Sequence, residues 1–547
     1  YILAYICLLT LSFTSYCQDV IKVACVGNSI TYGYTLDNPE KDSYPAQLQE
    51  LLGVKYEVGR FGKPGATLLN RGHRPYTQQQ EFHQAVEFAG DIVVIHLGVN
   101  DTDPRNWPNH NDEFIRDYIS LIDTFKSVNP NCRIIIAQMT PLSHRHHRFE
   151  SGTRDWHAEI QEYIRNIATI ADVELIDFYE PLHKMPHLIP DAIHPNKEGS
   201  KIMAEVVYSA ITGDYGGLQM PDVYGDNMVL PCNREFTIHG TANRNDIVKV
   251  TIDNKTYSCE TDYNGNWQVN ISPLSTSSTH SLSITCNKEK IKYKNILAGE
   301  IWLCSGQSNM EYMLKQCATA NEDIPVADNS QIRFLDMKAL WRTDDVKWTT
   351  QALDSINDLH YLTKPQWTTC NSETAANFSA IGYHFGKMLQ DSLNIPIGLI
   401  CNAVGGSPIE SWIDRNTLED DFPAVLRTWK DNDFIQLWVR ERGALNTTNS
   451  TNPLQRHPYH PCYMFEESII PLTAIDIDGV IWYQGESNAH NIETHEKLFP
   501  LFVKSWRNNW DNDELPIIFV QLSSTERPSW PSFRDSQREL AEQMENV

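Results

Sequence analysis

Along its first third the chain alternates short apolar runs with amphipathic stretches of helical spacing. Residues 21–26 are β-branched and apolar and end at Gly27-Asn28-Ser29, where a helical pattern begins. This spacing predicts a strand, a tight turn and a helix start, with Ser29 carried on the turn. Downstream it predicts a helix over Tyr44–Leu52, a short strand at 56–58 and a glycine-bearing loop at 61–67. Strands at 91–97, Arg133–Gln138 and 174–178 follow, separated by helices over 112–126 and 157–170, with a last helix after Asn196. Strands and helices alternating at this length imply a parallel sheet covered on both faces. Ligands collect at the carboxyl ends of the strands in such sheets.

The period changes past Gly213-Asp214-Tyr215-Gly216-Gly217. Alternating runs at 235–239, Ile247–Ile252, 267–271 and 280–285, separated by Asn, Asp, Gly and Ser clusters, read as a small antiparallel β-sandwich. Trp267 lies within one alternation and is assigned to the core of that module. From about residue 298 the strand-turn-serine arrangement returns. Runs at 300–304, 397–401 and Gly479–Tyr483 lead into Ser305-Gly306-Gln307-Ser308, Asn402-Ala403-Val404-Gly405-Gly406 and Gln484-Gly485-Glu486. The expected organisation is a leader at 1–18, an α/β unit at 19–213, a β module at 214–297 and a second α/β unit at 298–547.

Composition narrows the partners. The net charge of −25 over 547 residues argues against nucleic acid or an anionic membrane surface. Residues 1–18 carry an apolar stretch followed by small and polar residues, the pattern of a secretory signal whose start is clipped. That predicts an exported protein, secreted or periplasmic, and no other window is long and apolar enough to span a bilayer. Ten cysteines remain beyond the leader, none in a zinc-like spacing, and an export route permits a disulfide among Cys232, Cys259 and Cys286. His144-Arg145-His146-His147 has a metal-like composition, but consecutive side chains point different ways, so the stretch reads as a solvated loop. No metal and no cofactor is expected.

Four strand-end loops carry the candidate chemistry of the first unit. Ser29 is placed to act as a nucleophile, with its own N–H beside the attacking hydroxyl. Gly65 lacks a side chain that would keep its N–H from a substrate oxygen, and Asn100, in Leu97-Gly98-Val99-Asn100-Asp101, offers a further amide donor. Asp191-Ala192-Ile193-His194 has a one-turn spacing that suits Asp191 to one imidazole nitrogen, leaving the other free to take a proton from Ser29. Singly, each loop has an ordinary structural reading. In this order, each at a strand end, they point to a serine hydrolase. Arg71, Arg74, Arg145 and Arg148 are candidates to meet a substrate carboxylate.

With these residues the chain resembles an SGNH (GDSL-like) hydrolase, whose four signature residues correspond to Ser29, Gly65, Asn100 and His194. Gly27-Asn28-Ser29 replaces the usual Gly-Asp-Ser and keeps the nucleophile. The resemblance implies two flavodoxin-like α/β/α sandwiches flanking the β module, and ester hydrolysis through an acyl-enzyme.

EIWLCSGQSNM, NAVGGSPIESW and GVIWYQGESNA, with DNMVL at 226–230, resemble the sialate O-acetylesterase branch of that superfamily. The branch implies Ser308 as a second nucleophile, with Gly405 or Gly406 and Gln484 as oxyanion donors. No Asp-x-x-His follows Gln484; Asp358-Leu359-His360 lies before the glycine loop, and His490 and His495 lack the terminal position, so the second unit is expected to hold half a site. The expected function is a carbohydrate O-acetylesterase acting through Ser29 alone, with O-acetylated sialic acid as substrate. Acetylated xylan or another polysaccharide is the alternative substrate. Glycan binding, with the second unit inactive, is the rival from another class.

Overall fold

A computed structural model describes residues 20–547. The leader expected at 1–18 lies outside the described residues. Two compact units are present, the first built from residues up to Met139, Asp155–Phe178 and His194–Tyr208, the second from Thr140–Arg154, Tyr179–Ile193 and Ser209–Val547. Among the described residues no helix is long and apolar enough to cross a membrane.

The first unit holds a five-stranded parallel sheet of β1 (Ile21–Gly27), β2 (Tyr56–Gly62), β3 (Ile92–His96), β4 (Arg133–Gln138) and β5 (Glu174–Asp177), in the order β2-β1-β3-β4-β5. This is the flavodoxin-like order expected. Val23, Ala24, Cys25 and Val26 on β1 and Val94 and Ile95 on β3 are wholly buried, as central strands covered on both faces require. Register then brings the loops together. Gly27 at the end of β1 pairs with Gly62 on one side and with His96 on the other. Ser29, Gly65 and Asn100 follow these three residues within four positions, so they meet at one rim.

In the first unit two of the longer elements differ from the expectation. β2 continues to Gly62 and draws Phe61 and Gly62 out of the expected loop, because β1 offers it a partner along its full length. The helix Gln80–Phe88 begins in a run of glutamines that shows little periodicity, and it packs through Ala85.

In the second unit β6 (Val229–Pro231), β7 (Phe236–Thr241), β8 (Ile247–Ile252), β9 (Lys255–Glu260), β10 (Asn266–Ile271), β11 (His280–Cys286) and β12 (Glu289–Gly306) form the β module. β7 and β10 pair antiparallel, as do β9, β8, β11 and β12 in that order. Trp267 is 3% exposed, a core residue as expected. All ten described cysteines are free, so the disulfide that export would permit is not formed in this structure.

β12 runs 18 residues without a break. Its first half pairs antiparallel with β11, and its second half lies between β15 (Ile397–Ala403) and β16 (Gly479–Tyr483), parallel to both. β13 (Asn329–Met337) and β17 (Ile517–Phe519) extend that parallel sheet, and β14 (Trp367–Cys370) closes one edge antiparallel. Gly306 pairs with Ala403 and with Tyr483, so the loops bearing Ser308, Gly405 and Gln484 leave the same edge.

Candidate active site

Ser29 opens the short helix Ser29–Tyr32 directly after β1. The cap is Asn28, whose Oδ1 accepts the Ile30 N–H at 2.9 Å, so Ser29 is released from the capping role open to an isolated serine. Gly27 makes the turn possible. A Cβ there would stand 2.1 Å from Thr31 Oγ1 and 2.7 Å from the His96 carbonyl oxygen. Ser29 is 7% exposed, and its Oγ lies 2.9 Å from His194 Nε2. The structure thus brings within hydrogen-bond reach the two side chains that the sequence offers as candidate nucleophile and base. The Tyr34 ring lies 5.2 Å from the His194 imidazole, tilted by 56°, and is itself 52% exposed.

The neighbouring loops carry the two candidate donors, Gly65 and Asn100. Gly65 has φ +76, and its loop is folded by Ala66 N–H donating to the Lys63 carbonyl. Asn100 Nδ2 donates one hydrogen to the Ala66 carbonyl at 2.9 Å, which leaves its second hydrogen for a ligand. Asp101 braces the two loops. Its two carboxylate oxygens accept the Leu68 and Leu69 N–H groups, each at 2.9 Å, from a wholly buried position. Burial pushes this carboxyl up to about 7, against the pull of the Leu69 and Leu68 N–H groups. The sequence showed Asp101 as part of a strand-end turn and gave no role to it, since the bracing depends on register across three strands.

Asp191 and His194 fall on either side of the division between the units. The Asp191 carboxylate accepts the Ile193 N–H at 3.0 Å, an Asx turn, and Ala192 between them has φ +75. Of the stretch 144–147, expected as a solvated loop, His147 is exposed, whereas His144 and Arg145 are engaged. Arg145 donates to the carbonyls of Pro186, Ile189 and Pro190, and His144 lies 3.8 Å from Glu419 with 6% of its side chain exposed. The desolvated guanidinium finds its acceptors in a neighbouring loop. Among the described residues no group of three or more His, Cys, Asp and Glu could hold a metal ion.

In the second unit Ser308 opens the helix Ser308–Glu311 and lines a cleft of about 650 Å³ with Gln307, Glu311, Gly405, Gly406 and Glu486. Among the described residues Ser308 Oγ has no hydrogen-bond partner. Gly405 N–H, a donor implied by the resemblance, is held by Glu311 Oε2 at 2.9 Å. Gln484 is also occupied. It is 1% exposed, and its amide donates to the Ser407 carbonyl at 3.2 Å and to Asn488 Oδ1 at 2.6 Å. Both amide hydrogens are used inside the core, so in this arrangement Gln484 offers none to the cleft. His495 is buried, with burial holding it down at about 3, and among the described residues neither ring nitrogen has a hydrogen-bond partner.

Comparison with known proteins locates two families on the chain. Residues 25–202 match the GDSL-like lipase/acylhydrolase family, and residues 298–433 and 455–547 match the carbohydrate esterase, sialic acid-specific acetylesterase family. An acetylxylan esterase of Xylanibacter ruminicola is 33% identical over 215 residues, which is 36% of this chain and 44% of that protein. The sialate O-acetylesterase of Homo sapiens is 28% identical over 276 residues, 47% of each chain. The chain thus spans less than half the length of these curated relatives. A crystal structure of a carbohydrate acetylesterase from Xanthomonas citri aligns with 59% of this chain and 66% of its own, at 25% identity and a TM-score of 0.46.

Proposed function

For a chain that carries a GDSL-like acylhydrolase domain and, after it, a sialic acid-specific acetylesterase domain, we propose carbohydrate O-acetylesterase activity centred on Ser29. Ser29 Oγ attacks the acetyl carbonyl while His194 Nε2 takes its proton. The oxyanion that forms accepts from the Ser29 and Gly65 N–H groups and from the second hydrogen of Asn100 Nδ2. Collapse breaks the ester bond, and His194 returns its proton to the departing sugar hydroxyl. A water, deprotonated by the same imidazole, then releases acetate from Ser29. Asp191 is assigned to the other imidazole nitrogen, fixing the tautomer that leaves Nε2 able to accept.

The observation that carries this reading is the 2.9 Å contact between Ser29 Oγ and His194 Nε2. Among the described residues the second cleft shows no such contact, and Glu311 holds one of its implied donors, so turnover is assigned to the first site alone. Glycan binding without hydrolysis is disfavoured by the same contact, since sugar binding needs no serine–imidazole pair.

Acetate release by the wild-type chain and by Ser29→Ala, His194→Ala and Ser308→Ala tests the assignment. Loss of a nucleophile or its base costs about 10⁴-fold or more in comparable hydrolases, so the first two variants fall to near background. Ser308→Ala retains wild-type rates. The reading fails if Ser308→Ala is dead and Ser29→Ala active. O-acetylated sialic acid is the first substrate to compare, with acetylated xylan beside it. The leader pattern at 1–18 favours a site of action outside the cytoplasm.

A further inference from the structure

The four arginines that could meet a substrate carboxylate are separated by their surroundings. Arg71 pairs with Glu113 at 3.1 Å. Arg145 spends its guanidinium on three backbone carbonyls and the Ser143 hydroxyl, and Arg148 has partners of its own. Arg74 differs. Its Nη1 donates to the Pro64 carbonyl at 2.9 Å, and among the described residues no carboxylate faces it. The guanidinium is thereby laid across Gly65. A Cβ built there would meet Arg74 Nη1 at 3.0 Å and its Cζ at 3.7 Å. An exposed cation, held at one nitrogen and open at its other donors, lies against Gly65, the residue proposed to hold the oxyanion.

Resting on the reading of Ser29 as the acetylesterase nucleophile, we propose that Arg74 is the specificity residue of that site, reading a carboxylate on the sugar that carries the acetyl group. The chemistry suits the position. A planar guanidinium with one N–H already committed can still present a parallel pair of donors from Nε and Nη2 to a carboxylate. Pro64 restricts the rotamer, so less freedom is lost on binding than for an unattached surface arginine. The half-exposed Tyr34 ring beside His194 offers a further apolar face to a pyranose. The substrate class is therefore an acetylated acidic sugar, and both sialic and uronic acids meet the description.

The test uses matched pairs: an O-acetylated uronic acid with its uronamide, and an O-acetylated sialic acid with its carboxamide. The wild-type chain is expected to favour each acid over its amide by about tenfold in kcat/KM, carried by KM and weakened by salt. Arg74→Gln removes that preference, bringing kcat/KM for each acid down to that for its amide, and Arg74→Lys keeps part of it. A preference in only one pair identifies which acid is read. The assignment is overturned if the wild type shows no preference in either pair, or if Arg74→Gln slows acid and amide equally. Calorimetric titration of Ser29→Ala with the same four ligands reads the preference without turnover. Loss of hydrolysis by the wild type thus overturns the esterase reading, and loss of the binding preference overturns Arg74.

Discussion

Replacing Asp101 by asparagine separates the brace from the chemistry it supports. The wild-type carboxylate accepts the Leu68 and Leu69 N–H groups at 2.9 Å each, in a position with no solvent exposure. Asparagine supplies one oxygen in place of two, and its NH₂ group would face the remaining backbone N–H. A buried donor left without an acceptor costs about 1–3 kcal/mol, and two donors facing each other cannot stay in contact, so the 65–69 loop moves. Gly65 lies three residues before Leu68 on that loop, and Asn100, next to Asp101, is tied to it through Ala66. Loss of one oxyanion donor costs about 10²–10³ in kcat, and a displacement of about 1 Å costs about 10². Asp101→Asn should therefore lower kcat for acetyl ester hydrolysis about 10²-fold with little change in KM, since the interaction is made in the transition state. Steady-state acetate release with a thermal melt of the same preparation checks it. A variant whose melting temperature falls while kcat stays within twofold of wild type would refute the brace, and with it the role of the Gly65 loop.

Other substitutions probe neighbouring claims. Asn28→Ala removes the cap that accepts the Ile30 N–H and should cost about 1 kcal/mol of stability with a loss of kcat, measured by melting and acetate release on one sample. Glu410 is wholly buried, and burial pushes its carboxyl up to about 7 from 4.5, against backbone and Asn488 hydrogen bonds. Between those values the folded chain holds the proton that the unfolded chain releases, so this group lowers stability as pH rises from about 4.5 to 7. Glu410→Gln should reduce the fall in melting temperature between pH 5 and pH 8, about the ends of that window, and an unchanged difference would contradict the assignment. Glu466 accepts from Arg415 Nε at 2.8 Å and also from Arg456, with 2% of its side chain exposed. Glu466→Gln removes the carboxylate that two buried guanidinium groups share and should destabilise by about 3–5 kcal/mol in a denaturant titration.

Much of the first site could be read from the chain because the apolar runs of β1 and β3 end abruptly at glycine or His-Leu-Gly, and the reactive residues sit just beyond. Parallel pairing then aligns those ends without further information. The helix Gln80–Phe88 escaped because its glutamine-rich start carries no apolar stripe, and β9 because an edge strand with mostly exposed side chains has little pattern to show. β12 crosses the expected boundary at 297–298, since a strand can leave one sheet and enter another without any change in its own alternation. Asp101 and Gln484 mark a different limit. Both are polar residues at strand ends, and only their neighbours, Leu68 and Leu69 for one and Asn488 for the other, decide whether the side chain faces a ligand or the backbone.

The most direct measurement is covalent capture of the nucleophile. A phosphorylating serine-hydrolase reagent such as diethyl p-nitrophenyl phosphate is added to the full chain and the modified peptide is identified by mass spectrometry. One diethylphosphoryl group on Ser29, absent from His194→Ala and undiminished in Ser308→Ala, is the predicted result. Label on Ser308 with Ser29 unmodified would contradict the account.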